Sequence, residues 1–144
     1  MSLKEFMAKY RWAVEEAWLK GNVAAMDEVL APDVITHLPP FPDLKGAEAV
    51  KQSQLAVRQA YTDIRFDWDE MIGVGNTMAC RWTMRMKHTG VSPMFPVPPT
   101  GKELVLKGGW FLHLKGGKIV EVFGYDDYLG LLQQLGVVPP MGQK

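Results

Sequence analysis

Four side chains that could move a proton or polarise a carbonyl group stand near the ends of predicted strands. They are His37, His88, His113 and Asp127. A carboxylate at the mouth of an apolar cavity is a candidate general base, because loss of solvation raises its pKa toward the working pH. A neighbouring imidazole can share a hydrogen bond with a carbonyl oxygen as charge develops there. The pattern favours acid–base chemistry on a carbonyl compound.

Each of these side chains also has a purely structural interpretation. Asp127 directly precedes a predicted helix, and an aspartate in that position is a common N-cap, which accepts a hydrogen bond from a backbone N–H. Asp126 adds a second carboxylate next to it. The sequence leaves open which of the two faces the cavity, and it leaves open whether each histidine is a partly exposed strand end.

Several other kinds of chemistry lack the residues that they need. The three histidines have no His-x-x-x-His spacing, and no glycine-rich phosphate-binding motif is present, so we predict no metal site and no cofactor. The single cysteine, Cys80, lies on an apolar stripe and is predicted to be in the core. Sixteen Lys and Arg balance sixteen Asp and Glu. We therefore predict no nucleic-acid partner, since phosphate contacts require a surplus of cations.

Residues 77–88 are predicted to form a strand that lines much of the cavity. Met78, Cys80, Trp82, Met84, Met86 and His88 alternate with mostly polar residues, which indicates a long antiparallel strand with one dry face. Methionine adapts to irregular space, so this face suits either an apolar pocket or a loosely packed core. For the pocket, we predict a lining that binds a hydrophobic small molecule: His37, Trp68, Trp82, Met84, Met86, His88, Trp110, Phe111 and Phe123.

Hydrophobic periodicity predicts an α+β fold in one domain, residues 1–144. Helices are expected over 3–20, 23–30, 46–61 and 128–135, and strands over 33–37, from 64 to a turn at 73–76, 77–88, 104–115 and 118–126. Helices followed by strands imply a curved antiparallel sheet with the N-terminal helices packed on its concave face. Gly108 and Gly109 are expected to mark a bulge or bend where the sheet curls.

The N-terminal sequence and the hydropathy pattern give an expectation for location. The first twelve residues mix acidic and basic side chains without a continuous apolar run, so no secretory signal is predicted. No window approaches the ~20 apolar residues of a membrane span. We expect a cytoplasmic protein that does not bind membranes.

Several fragments of the chain together resemble one protein family. They are Leu30-Ala31-Pro32-Asp33-Val34, Pro98-Pro99-Thr100-Gly101-Lys102, Gly117-Lys118-Ile119-Val120-Glu121, and the segment 129–136 that follows Asp127. In this order they resemble the SnoaL-like polyketide cyclase, or ester cyclase, family of the nuclear transport factor 2-like superfamily. The resemblance implies a cone-shaped α+β fold, usually dimeric through the outer sheet face, with no metal and no covalent intermediate.

The resemblance also implies an activity. Asp127 would be the acid and base of an aldol-type ring closure, and His113 would polarise or protonate an enolate oxygen. The protein would then be a cofactor-free lyase or isomerase that acts on a hydrophobic carbonyl compound. The chain departs from the family at Phe123, where a tryptophan is common, and in the longer apolar segment 89–97.

The alternative is a non-catalytic module of the same fold, which binds a small molecule or dimerises. It predicts a cavity without convergent polar groups, His113 in solvent, and Asp127 engaged only at the helix N-terminus. A homodimer is expected in either case, because Ala79 and other small residues on the polar face of strand 77–88 would let a second sheet approach. Arg81 and Arg85 would then need acidic partners.

Overall fold

The computed structural model describes residues 1–142, so the last two residues of the predicted 1–144 domain lie outside the described residues. It confirms an α+β architecture in which N-terminal helices pack on a curved sheet. The elements in chain order are α1 (Leu3–Lys20), a 3₁₀-helix (Val23–Glu28), β1 (Leu30–His37), β2 (Leu44–Lys45), α2 (Ala47–Arg58), β3 (Tyr61–Val74), β4 (Thr77–His88), β5 (Glu103–Lys115), β6 (Lys118–Asp126) and α3 (Tyr128–Gln134).

One sheet of six strands forms the body of the protein, in the order β2-β1-β6-β5-β4-β3. All neighbouring strands are antiparallel except β1 and β6, which pair in parallel. The predicted antiparallel sheet is therefore correct for four of these five pairings. The short strand β2 and the first residues of β1 were not predicted, because Pro32 and the prolines after His37 obscure a strand pattern there.

Helix α1 follows directly from its sequence. The hydroxyl of Ser2 accepts a hydrogen bond from the backbone N–H of Glu5 at 3.1 Å and caps the N-terminus. Gly21 ends the helix with a left-handed backbone (φ 74°), a conformation that glycine adopts at little cost. Phe6 and Tyr10 belong to the buried stripe that faces the sheet.

The strand β4 has the predicted dry face. Its inward residues are all buried: Met78, Cys80, Trp82, Met84, Met86 and His88. On the outer face Arg81 pairs with Glu70 at 3.1 Å, and Arg85 lies 3.9 Å from Asp67. Both arginines therefore have acidic partners on the neighbouring strand of the same chain.

The expected bulge at Gly108 and Gly109 is not present. The pairing of β4 with β5 runs without a shift from Thr77 opposite His113 to Lys87 opposite Glu103. Register shifts occur elsewhere: between Thr62 and Arg65, between Trp68 and Glu70 along β3, and between His113 and Leu114 along β5. The register shifts of these strands therefore lie away from the two glycines. Among the described residues, no helix combines the length and apolar character that a membrane span requires.

Candidate active site

A mostly apolar cavity lies between the concave face of the sheet and the helices α1, α2 and α3. Of the predicted lining residues, five do line it: Trp68, Trp82, Met84, Met86 and Trp110. They come from β3, β4 and β5, whose inward positions alternate with outward ones. The cavity is thus built from the strand faces that the periodicity identified.

Phe111 and Phe123 do not line the cavity, which corrects the prediction for both. They lie opposite each other on β5 and β6, and Phe111 is 50% exposed. Since successive strand residues point to opposite faces, the inward positions of Trp110 and Leu112 place Phe111 on the outer face.

His37 also lies outside the cavity lining, contrary to the prediction. Its ring stacks on Phe123 with centroids 4.6 Å apart. Its Nε2 lies 2.8 Å from Glu121 Oε2, and its Nδ1 lies 2.9 Å from Asp43 Oδ1. Hydrogen bonds to Glu121 and Asp43 raise the pKa of the imidazole above its ordinary value. This histidine ties the end of β1 to β6 and to the loop 38–43.

His88 is buried, but it too is absent from the cavity lining. The backbone N–H of Thr100 donates a hydrogen bond to His88 Nδ1 at 3.2 Å, and the Thr100 hydroxyl lies 3.0 Å from the same nitrogen. The ring packs beside Tyr61, with centroids 5.6 Å apart. His88 therefore fastens the loop 89–102 to the end of β4, and it does not line the cavity as predicted.

The predicted pair of His113 and Asp127 does not meet in the cavity. His113 lies on the outer sheet face, edge-on to Phe123 with centroids 5.8 Å apart. Asp127 is exposed, and its Oδ1 accepts a hydrogen bond from the backbone N–H of Gly130 at 2.9 Å, as the N-cap of α3. The structural interpretation of Asp127 is therefore the one that the structure supports, and neither residue lines the cavity.

Asp126 is the carboxylate that faces the cavity. Its Oδ1 accepts a hydrogen bond from the indole N–H of Trp110 at 2.7 Å, and its Oδ2 accepts one from the hydroxyl of Tyr128 at 2.9 Å. Burial raises the pKa of Asp126 to about 6, and the two hydrogen bonds oppose this rise without cancelling it. Each carboxylate oxygen keeps a lone pair for a further partner.

Two inward-facing glycines make room for this arrangement. A Cβ atom at Gly108 would overlap Asp126 Oδ1 and would lie 2.5 Å from Trp82 Cζ2. A Cβ atom at Gly124 would overlap Leu38 and would lie 2.9 Å from the Trp110 indole nitrogen. The absence of side chains at these two positions therefore lets the indole and the carboxylate lie side by side.

An aromatic cluster surrounds Tyr128, which bonds to the Asp126 carboxylate. The rings of Phe41, Phe95 and Tyr128 lie in mutual contact, with centroid distances of 5.0 to 5.7 Å. Phe41 comes from the loop 38–43 and Phe95 from the loop 89–102. The cluster therefore joins both loops to Tyr128, whose hydroxyl is a hydrogen-bond partner of Asp126.

The described residues form neither a cluster of metal ligands nor a reactive cysteine. Residues 1–142 contain no group of three His, Cys, Asp or Glu side chains placed to hold a metal ion. Cys80 is buried, and desolvation raises the pKa of its thiol to about 12, so the thiol stays protonated and unreactive.

A signal for Asp126 was present in the sequence. Inward residues of β6 alternate as Val122, Gly124 and Asp126, and this parity excludes Asp127 from the same face. The sequence gives no such signal for Tyr128, because its hydroxyl meets Asp126 only once α3 begins at Tyr128 and turns the side chain toward the carboxylate.

Comparison with known proteins agrees with the fold. A family model described as SnoaL-like polyketide cyclase matches residues 8–135. Comparison with curated proteins gives no significant match. Among solved structures, AclR from Streptomyces galilaeus, provisionally named a hydroxylase, is 22% identical, with a TM-score of 0.81 over 99% of this chain and 87% of AclR.

Two further structures carry other names. A protein from Acidithiobacillus ferrooxidans, provisionally named a polyketide cyclase, is 26% identical, with a TM-score of 0.75 over 94% of this chain and 98% of its own. A nuclear transport factor 2-like protein of unknown function from Burkholderia pseudomallei is 20% identical, with a TM-score of 0.74 over 94% of this chain and 98% of its own. From the family match over residues 8–135, the chain belongs to the SnoaL-like polyketide cyclase family.

Proposed function

We propose that this protein is an acid–base enzyme of the cyclase type, which uses Asp126 to transfer a proton on a hydrophobic carbonyl compound. The observation that carries the proposal is the position of Asp126 in an apolar cavity, held by Trp110 and Tyr128, with its pKa raised to about 6. A base of this strength is largely ionised at neutral pH and still binds a proton well enough to remove one from carbon.

The proposed reaction is an intramolecular aldol closure that needs no cofactor. The carboxylate of Asp126 removes a proton from the carbon next to a carbonyl group, and the electrons of that C–H bond form an enolate. The enolate carbon then bonds to a second carbonyl carbon of the same molecule, whose oxygen becomes an alkoxide. Protonated Asp126 returns its proton to the alkoxide, which restores the carboxylate.

The alternative function is a non-catalytic carrier of an apolar molecule. His113 on the outer face and Asp127 at the helix N-terminus are both as that alternative expects. Its third expectation is a cavity without convergent polar groups, and Trp110, Asp126 and Tyr128 converge there. Three interacting polar groups in an apolar cavity favour catalysis, because a carrier gains nothing from a desolvated carboxylate.

The test is exchange of the α-protons of 2-acetonaphthone for deuterium, followed by NMR in D₂O. The ketone has an apolar ring system that matches the cavity and an acidic methyl group. We expect the wild-type protein to accelerate exchange and Asp126→Asn to lose about 10²- to 10⁴-fold of that acceleration, the usual contribution of a general base.

The neighbouring carboxylate provides a matched control. Asp127→Asn keeps an N-cap residue and removes the same charge one position away. This variant should therefore catalyse exchange of the ketone's α-protons at the wild-type rate. Equal losses in the two variants, a loss below about tenfold in Asp126→Asn, or no acceleration by the wild-type protein would each contradict the proposed function.

The homodimer remains a proposal. The outer sheet face exposes apolar side chains from three strands: Ile72, Val74, Phe111 and Tyr125. Isolated exposed apolar residues are ordinary, but a contiguous group of this kind is typical of an interface. Sedimentation of the wild-type protein at micromolar concentration should give twice the 16.2 kDa mass of the chain. A monomer alone would contradict it.

A further inference from the structure

Another polar side chain that faces the cavity, Gln54, has a buried atom without a hydrogen-bond partner. Gln54 lies on α2 and is 5% exposed. Within residues 1–142, its Oε1 is the one buried side-chain nitrogen or oxygen atom without a hydrogen-bond partner. Buried polar atoms are almost always paired, so an exception requires an explanation.

Gln54 belongs to the face of α2 that lines the cavity. Val50, Ser53, Gln54 and Val57 all line the cavity, and their spacing of three and four residues forms one face of α2. The sequence thus places an amide in a stripe where an aliphatic side chain would satisfy the packing without an unpaired group. Desolvating that amide has a cost in the free protein.

Gln54 and Asp126 stand on different walls of the same cavity. Helix α2 packs on β1 and β3, whereas Asp126 ends β6 and lies opposite Gly108 of β5. Most of the cavity lining is apolar, and it includes Trp68, Trp82 and Met84. A molecule that reaches both polar groups therefore crosses an apolar region.

We propose that the side-chain amide of Gln54 binds a hydroxyl or carbonyl group of the substrate, at a point remote from the carbon that Asp126 deprotonates. The inference rests on the proposed function and specifies its substrate class: an apolar, ring-containing carbonyl compound with a second oxygen substituent. The amide suits either group, since Oε1 accepts a hydrogen bond from a hydroxyl and the NH₂ group donates one to a carbonyl oxygen.

Specificity follows from the same arrangement. A substrate with an apolar group at this point leaves the amide unpaired in the complex, and a site built around a hydrogen bond rejects such an analogue. Gln54 therefore selects for oxygenation of the substrate, while Asp126 performs the proton transfer.

The experiment compares two ligands that differ by one hydroxyl group. The probes are 2-acetonaphthone and 6-hydroxy-2-acetonaphthone, with dissociation constants measured by calorimetry. We expect the wild-type protein to bind the hydroxylated probe about fivefold more tightly, the effect of one ordinary hydrogen bond. Gln54→Met, which keeps the length of the side chain and removes the amide, should abolish this preference.

A second readout needs no ligand. Because Gln54→Met removes an unpaired buried atom, it should raise the midpoint of thermal unfolding of the free protein by about 2–6 °C. A lower midpoint would mean that the amide has an internal structural role, which overturns the inference. Gln54→Leu repeats both measurements with a second apolar side chain.

The control is the same substitution on the exposed side of the same helix. Gln52 is exposed, so Gln52→Met should leave the fivefold preference unchanged. Equal affinity of the wild-type protein for the two probes, binding of neither probe, or a preference that survives in Gln54→Met would each overturn the inference. Asp126→Asn separates the two proposals, since it should lose proton exchange and retain the preference.

Discussion

Ionisation of Asp126 in the cavity should make the protein less stable as the pH rises. The pKa of this carboxyl is about 6 in the folded protein, against an ordinary value of 3.8. The folded state therefore binds the proton more tightly than the unfolded state. The stabilisation is fully present below about pH 4 and is lost as the pH rises through about 6.

The magnitude follows from the difference between the two pKa values. About two units correspond to about 3 kcal/mol over the whole titration, and to about 2 kcal/mol between about pH 4.5 and about pH 7.5. Asp126→Asn cannot ionise and resembles the protonated carboxyl in shape. The free energy of unfolding of this variant, relative to that of the wild-type protein, should therefore increase by about 2 kcal/mol between these two pH values.

The assay is urea unfolding of both proteins at the two pH values, followed by tryptophan fluorescence. Other groups that titrate in this range, including His37 with its raised pKa, are present in both proteins and cancel in the comparison. Asp127→Asn, which removes an exposed carboxylate one position away, is the matched control. A difference below about 0.5 kcal/mol, or one of the opposite sign, would mean that Asp126 is solvated and would refute the reasoning.

Two further substitutions test how the carboxylate is held. Gly108→Ala places a methyl group against Asp126 and Trp82, so it should lower the free energy of unfolding by about 1–3 kcal/mol and slow the exchange of the ketone protons. The control Gly109→Ala, whose Cβ would lie 3.5 Å from the Cys80 carbonyl oxygen, should leave the exchange rate unchanged. Equal exchange rates in the two variants would contradict the steric argument. Tyr128→Phe removes a hydrogen bond that lowers the pKa of Asp126, so the pH at which exchange of the ketone protons is half-maximal should rise. An unchanged or lower value would show that the Tyr128 hydroxyl does not act on the carboxylate.

Local patterns were sufficient for most of the fold. The alternation along 77–88 predicted both the limits of β4 and its buried face, since a period of two has few other interpretations over twelve residues. The bulge predicted at Gly108 and Gly109 is absent, because a glycine in a strand can also serve a close approach of other atoms. Only the neighbouring Asp126 and Trp82 show that Gly108 allows such an approach.

The site was harder to predict, because it depends on which face of β6 each carboxylate occupies. Asp126 and Asp127 are adjacent in the sequence, yet one lies in the cavity and the other caps a helix. The histidines were misplaced for a related reason, since a side chain near a strand end can face the cavity, the outer face or a loop. His113 and His37 both pack against Phe123 outside the cavity, and His88 bonds to the loop 89–102.

The sequence by itself determined the order of the elements, the apolar concave face and the presence of acid–base side chains near it, because these depend on contacts within a few residues. Only the tertiary structure decided which carboxylate is desolvated and which amide is left unpaired. Desolvation is the sum of contributions from distant segments, such as that of Trp110, which contacts Asp126 from the neighbouring strand, and no local pattern contains that sum.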